Sequence, residues 1–160
     1  MNNQILTFDR AMEYCLKRLA ACDVTQAALL LKLRQRGCPE ELALKVMCVL
    51  RDKGYLDERR SAERLVRMWR RGGKAGTGKL RMTLRQQGID EALLQETIGS
   101  VGEEEELEFA RNAFAHYRIN YDDVRWKDKA LAYLVRRGFS LSTARKTVPE
   151  GPADPLFDLS

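Results

Sequence analysis

The chain has 160 residues, with 28 Lys and Arg against 23 Asp and Glu and a formal net charge of +5. Only 4 prolines, no alternating β-branched run and 32% charged side chains exclude a β-sandwich or barrel and point to helices with solvated faces. No apolar run approaches the ~20 residues that span a bilayer, and no basic-then-apolar leader opens the chain, so no membrane association and a cytoplasmic location are expected.

In chain order, apolar spacing predicts helices over 8–21, 25–36 and 40–53. A second trio is predicted over 57–71, 77–87 and 90–99, and a third over 103–118, 123–137 and 140–148. Gly37, Gly54, Gly72, Gly88 and Gly138 stand where left-handed C-caps belong, and Asp57, Asp90 and Ser140 where N-caps belong. The acidic run Glu103–Glu106 opens its helix at the positive dipole end, which stabilises it. Asp122 and Asp123 read as the cap of the next helix rather than as a metal pair.

The trios repeat. Leu29 and Leu33 precede Gly37-Cys38, Leu80 and Leu84 precede Gly88-Ile89, and Ala130 and Leu134 precede Gly138-Phe139. The glycines lie 51 and 50 residues apart, and Ala43/Leu94/Ala144 and Met47/Ile98/Val148 keep equal offsets after them. An apolar pair four apart covers one helix face, and the glycine then stops the helix. The expected architecture is all-α: three tandem three-helix repeats in an elongated, curved array, at 1–54, 55–101 and 102–148, with a loose Pro-rich tail at 149–160 that includes Leu156 and Phe157. Units of ~50 residues hardly bury a core alone, so neighbours should share apolar surface.

Charge is segregated along the chain. Residues 59–85 hold ten basic side chains against Glu63 alone, and 86–110 hold eight acids and no base. In the 57–71 helix, Ala62, Leu65, Val66 and Trp69 form a buried stripe. Arg60, Arg64, Arg67 and Arg71 line up nearly opposite, a placement that like-charge repulsion disfavours unless a partner supplies negative charge. With Arg70, Lys74, Lys79, Arg81 and Arg85 they form a candidate phosphate-contacting set.

Other chemistry finds little support. Gly73-Lys74-Ala75-Gly76-Thr77-Gly78-Lys79 has phosphate-loop spacing, but Leu80 stands where the magnesium-binding hydroxyl belongs and no buried strand precedes it. It reads instead as a flexible basic linker whose glycines permit close approach of phosphates. Cys15, Cys22, Cys38 and Cys48 lack metal spacing and read as buried free thiols in a reducing compartment. Lone His116 nominates no catalytic set, and Trp69 and Trp126 read as core anchors. No metal, no cofactor and no catalysis are expected. A helix-turn-helix transcriptional regulator and an α-repeat protein-binding scaffold stand as alternatives.

Several motifs are similar to those of the RecX regulatory proteins. Gly54-Tyr55-Leu56-Asp57-Glu58 resembles that family's "G-Y-[LI]-D-[DE]" turn. Gly76-Thr77-Gly78-Lys79-Leu80-Arg81, with Leu84 and Gly88-Ile89, resembles its "G-x-x-R-I…L…K-G-I" stretch, and Arg136-Arg137-Gly138-Phe139-Ser140 its closing "R-G-F-[ST]". The likeness runs over roughly 8–148. Ser61 replaces a common aromatic, Lys79-Leu80 replaces Arg-Ile, Thr83 replaces a usual glutamate, and the 72–78 loop is about one residue longer. The resemblance implies a non-enzymatic modulator of the RecA recombinase. Such a protein would be a monomer lying along the RecA–single-stranded DNA filament, hindering its growth, ATP hydrolysis, strand exchange and coprotease activity, with the basic middle unit facing DNA or acidic filament surface.

Overall fold

A computed structural model describes residue 5, residues 7–22 and residues 24–151. Among these residues the regular structure is all-α: α1 (Phe8–Ala21), α2 (Gln26–Gln35), α3 (Glu40–Asp52), α4 (Glu58–Gly72), α5 (Thr77–Gln86), α6 (Glu91–Gly99), α7 (Glu103–Phe114), α8 (Trp126–Arg136) and α9 (Leu141–Thr147). The helices pack within consecutive trios, and each trio has its own apolar cluster.

The repeated apolar positions build these clusters. Leu33, Leu84 and Leu134 are each fully buried, as are Ala43, Leu94 and Ala144, and Cys38, Ile89 and Phe139 fold back beneath the glycine turns. At all three turns the glycine N–H donates to the carbonyl three residues earlier. The next N–H donates to the carbonyl five residues earlier, at Leu33, Leu84 and Leu134. Gly37, Gly88 and Gly138 hold φ of 71°, 73° and 90°, a region that side chains with a Cβ rarely enter.

Caps follow the residue chemistry. Asp57, Asp90 and Ser140 each accept a backbone N–H from the first turn of α4, α6 and α9, and Thr25 does the same for α2. Gly72 ends α4 as a helical residue, and the left-handed cap is Gly73 instead, one position later than expected. α7 stops at Phe114 rather than running to 118. Its final turn tightens to three-residue bonds, from His116 N–H to Ala113 and from Tyr117 N–H to Phe114. α8 begins at Trp126, later than expected, because Asp123 organises a preceding turn and accepts the Arg125 N–H at 2.9 Å.

The cysteines divide, against the expectation that all four are buried. Cys15 and Cys38 are buried, whereas Cys22, the extended C-cap residue just past α1, and Cys48, on the solvent face of α3, are exposed. Of the expected tail, Pro149 is buried and Glu150 pairs with Lys127 at 2.6 Å. Leu156 and Phe157 lie outside the described residues.

The trios meet through a joint that occurs twice. Thr25 and Gly76 each stand twelve residues before their own turn glycine, and Ala27 and Gly78 ten before it. Thr25 Oγ1 donates to the Gln87 side chain at 2.9 Å, and a Cβ on Gly88 would meet Ala27. One trio later, Gly76 N–H donates to Arg137 O and Gly78 N–H to Gly138 O, both at 2.9 Å. The N-terminus of each middle helix therefore sits on the glycine turn of the following trio. At the chain start, Ile5 N–H donates to Arg36 O at 3.0 Å, the position matching Arg137.

Candidate nucleic-acid interface

α4 sets the geometry of the basic surface. At 3.6 residues per turn Arg60, Arg64, Arg67 and Arg71 fall within roughly 60° of arc. Ala62, Leu65 and Val66 are buried beneath the helix, and Trp69 packs on Phe109 with ring centroids 4.8 Å apart. Arg60, Arg67 and Arg71 are exposed and Arg64 is partly buried. Among the described residues Arg60, Arg67 and Arg71 have no side-chain ion-pair partner, so three like charges stand on one solvated face.

Both flanks of this stripe are defined. On one side, Arg59 grips Glu96 through two bonds of 2.7 and 3.1 Å, and Arg70 grips Glu105 with the same two distances. These guanidinium–carboxylate bonds raise the Arg59 and Arg70 pKa and lower that of Glu96. On the other side Met68 is 56% exposed, an apolar contact beside the cations. Arg70 is thus held by the next trio, and Arg85 pairs with Glu91 at 2.9 Å. Such exposed pairs exchange partners at little cost when phosphate arrives.

Lys74 and Lys79 are exposed and Arg81 is partly buried. Lys74 Nζ lies 3.2 Å from His116 Nε2, and the Lys74 carbonyl accepts from Arg137 at 3.3 Å. The segment carrying these lysines is not the loose linker its glycines imply. A Cβ on Gly76 would fall 2.3 Å from Gly138 C, and one on Gly78 would fall 2.7 Å from Gly138 O. The close approach permitted by the missing side chains is that of the neighbouring backbone, and the Gly76 and Gly78 N–H groups are already spent on it. The arrangement offers no phosphate cradle.

The acidic run on α7 works inside the molecule. Glu105 holds Arg70, Glu106 accepts both the Thr77 N–H at 2.9 Å and its hydroxyl at 2.8 Å, and Glu103 pairs with Lys146. Sequence reading placed these carboxylates at a helix N-terminus but missed that they tie α7 to α4 and α5. Their partners lie 29 to 43 residues away in sequence, beyond any local spacing signal.

Among the described residues no group of three or more His, Cys, Asp or Glu could hold a metal, and no helix is long and apolar enough to cross a membrane. Burial pushes the Cys15 thiol up to about 11 and raises Cys38 as well, so both are poor nucleophiles and ligands.

No family model matches the chain. It is 32% identical over 149 residues to "Regulatory protein RecX" of Mycobacterium sp. (strain KMS), covering 88% of this chain and 80% of that protein. It is also 32% identical over 136 residues to "Regulatory protein RecX" of Trichlorobacter lovleyi, covering 82% and 88%. A crystal structure of regulatory protein RecX superposes with a TM-score of 0.77 at 26% identity, covering 88% of this chain and 72% of that one. RecX from Lactobacillus salivarius superposes with a TM-score of 0.69 at 18% identity, over 88% and 93%, and shares the fold. This chain belongs to the RecX family of regulatory proteins.

Proposed function

We propose that the chain is a non-enzymatic negative regulator of RecA that binds along the RecA–single-stranded DNA filament in the bacterial cytoplasm. On this reading it limits filament extension, ATP hydrolysis, strand exchange and coprotease activity. One observation carries the reading: Arg60, Arg67 and Arg71 stand on one exposed face of the middle trio with no ion-pair partner among the described residues. That is the electrostatic footprint of an anionic partner.

The mechanism is bridging. Three helical units at 1–54, 55–101 and 102–148, joined at equivalent positions by side-chain contact in the first joint and backbone hydrogen bonds in the second, place several weak contacts on one chain. Once one unit is bound, the others bind at a high effective concentration. A filament held across successive protomers has fewer conformations available for growth and turnover. The set Arg60, Arg64, Arg67, Arg70, Arg71, Lys74, Lys79, Arg81 and Arg85 supplies the phosphate and acidic-surface contacts, with Arg70 and Arg85 exchanging their glutamates for them.

A helix-turn-helix reading fits less well. Glu91 and Glu96 occupy α6, the helix that would enter a major groove, and duplex phosphates would repel them. A pure protein scaffold leaves the α4 stripe without a role. The deciding experiment is co-sedimentation with RecA assembled on single-stranded DNA against filament-free RecA, followed by RecA ATPase and strand exchange at substoichiometric dose. Binding to filament with inhibition is expected. Equal binding to filament-free RecA, or equal inhibition by residues 55–101 alone, overturns bridging.

A further inference from the structure

Two kinds of polar contact meet at the joint between the second and third units. In the first, charges are matched: Arg70 grips Glu105 at 2.7 and 3.1 Å, and Glu106 accepts the Thr77 N–H and hydroxyl. In the second, the fold brings bases together. Lys74 Nζ, from the connection between α4 and α5, lies 3.2 Å from Nε2 of His116, just past α7. Arg137, the C-cap of α8, donates to the Lys74 carbonyl at 3.3 Å and lies over the Tyr133 ring. The Lys79 stem crosses the same turn, since a Cβ on Gly138 would fall 2.8 Å from Lys79 Cγ. None of Lys74, Lys79, His116 and Arg137 has an ion-pair partner among the described residues.

Such a gathering does not stabilise the joint by itself. His116 Nδ1 lies 3.0 Å from the Asn112 carbonyl, which only an N–H can bond, so in the neutral ring Nε2 holds the lone pair that the Lys74 ammonium meets. An imidazole in place of a carboxylate gives Lys74 a hydrogen bond and no countercharge. Like charges juxtaposed across an interface cost free energy, and a shared anion removes that cost. The backbone supplies none of it, because the Gly76 and Gly78 N–H groups are bonded to Arg137 O and Gly138 O. Lys74 also follows Arg71 by three residues, past the end of the α4 stripe, which runs about 16 Å from Arg60 to Arg71 at 1.5 Å per residue. A row of cations of that length fits a polymer of regularly spaced anions better than a single carboxylate. We propose that the joint is a phosphodiester site for single-stranded DNA, formed by Lys74 and Lys79 of the middle unit with His116 and Arg137 of the third. It adds His116 and Arg137 to the nucleic-acid surface and ties the two units together whenever a strand is bound. The site rests on the nucleic-acid part of the RecA-filament reading and needs none of the inhibition.

The test sets stability against binding. His116→Glu gives Lys74 the countercharge it lacks, so the melting midpoint of the full chain should hold or rise. Affinity for a dT oligonucleotide, read by fluorescence anisotropy across a salt series, should fall about 10-fold, the usual contribution of one hydrogen bond to a charged group. The log-affinity against log-salt slope should flatten by roughly 0.7. Ala115→Glu adds the same charge on the adjacent residue, which faces elsewhere, and should cost less affinity. Lys74→Gln probes the same phosphate from the middle unit, so its loss combined with His116→Glu should be less than additive. If His116→Glu lowers the midpoint, Lys74→Gln alone decides, and its slope should flatten equally. Equal losses in His116→Glu and Ala115→Glu, or a parent chain that does not bind the oligonucleotide, overturn the site. Loss confined to the Arg60, Arg67 and Arg71 triple variant also overturns it while leaving the filament reading standing. A His116→Glu chain that keeps its oligonucleotide affinity but loses the RecA filament assigns the cluster to an acidic protein surface, which overturns the proposal as well.

Discussion

Gly78 donates its backbone N–H to the carbonyl of Gly138 at 2.9 Å, and neither residue has room for a side chain: a Cβ on Gly138 would lie 2.5 Å from Lys79 N. This contact joins the basic middle unit to the third unit. The phosphate-loop spacing in the sequence is a by-product of that joint, since glycines at 76 and 78 serve backbone-to-backbone contact.

Gly76→Ala should therefore loosen the joint between the second and third units. Its Cβ meets rigid backbone at 2.3 Å rather than a movable side chain, and overpacking of this kind typically costs about 1–3 kcal/mol. Gly99→Ala, where a Cβ meets nothing within 4 Å, is the control and should be neutral or slightly stabilising. Thermal melts of the two variants decide it; equal midpoints would remove the joint from the account.

Changing Arg60, Arg67 and Arg71 together to Ala should weaken single-stranded DNA and filament binding and leave helicity unchanged. Each lost phosphate contact should flatten the log-affinity against log-salt slope by roughly 0.7. An unaltered slope and affinity would reduce the stripe to a solvated surface.

Leu84→Ala should be among the most damaging single truncations in the middle unit. Leu84 is fully buried and its carbonyl also accepts the Ile89 N–H that closes the turn. Loss of about 2–5 kcal/mol is expected from transfer and cavity terms. Denaturant midpoints measure it, and a loss under 1 kcal/mol would mean the site collapses around the gap.

Thiol labelling should split the cysteines two and two. Cys22 and Cys48 should react rapidly with a soluble maleimide, while Cys15 and Cys38 wait for unfolding. The Cys15 pKa is raised from 9.0 to about 11, so its contribution to stability is complete below pH 9 and is lost as pH rises toward 11. A Cys15→Ser chain should lose less stability than the parent over that interval. Rapid labelling of Cys15 in folded protein would contradict its burial.

What the sequence determined by itself was the local and periodic part of this protein. Helix order, the turn glycines and the repeated apolar positions are written in short-range spacing: Leu33, Leu84 and Leu134 fall four residues before Gly37, Gly88 and Gly138, and one helical turn reads that distance. The α4 stripe was legible for the same reason. Only the tertiary structure decided how the units meet and which charges stay available. Glu105 reaches Arg70 across 35 residues, Glu96 reaches Arg59 across 37, and the Gly76–Gly78 segment lands on a turn 60 residues away. No periodicity connects such pairs. Their proximity follows from how separate apolar faces pack, within the middle trio for Arg59 and Glu96 and between the second and third trios for the others.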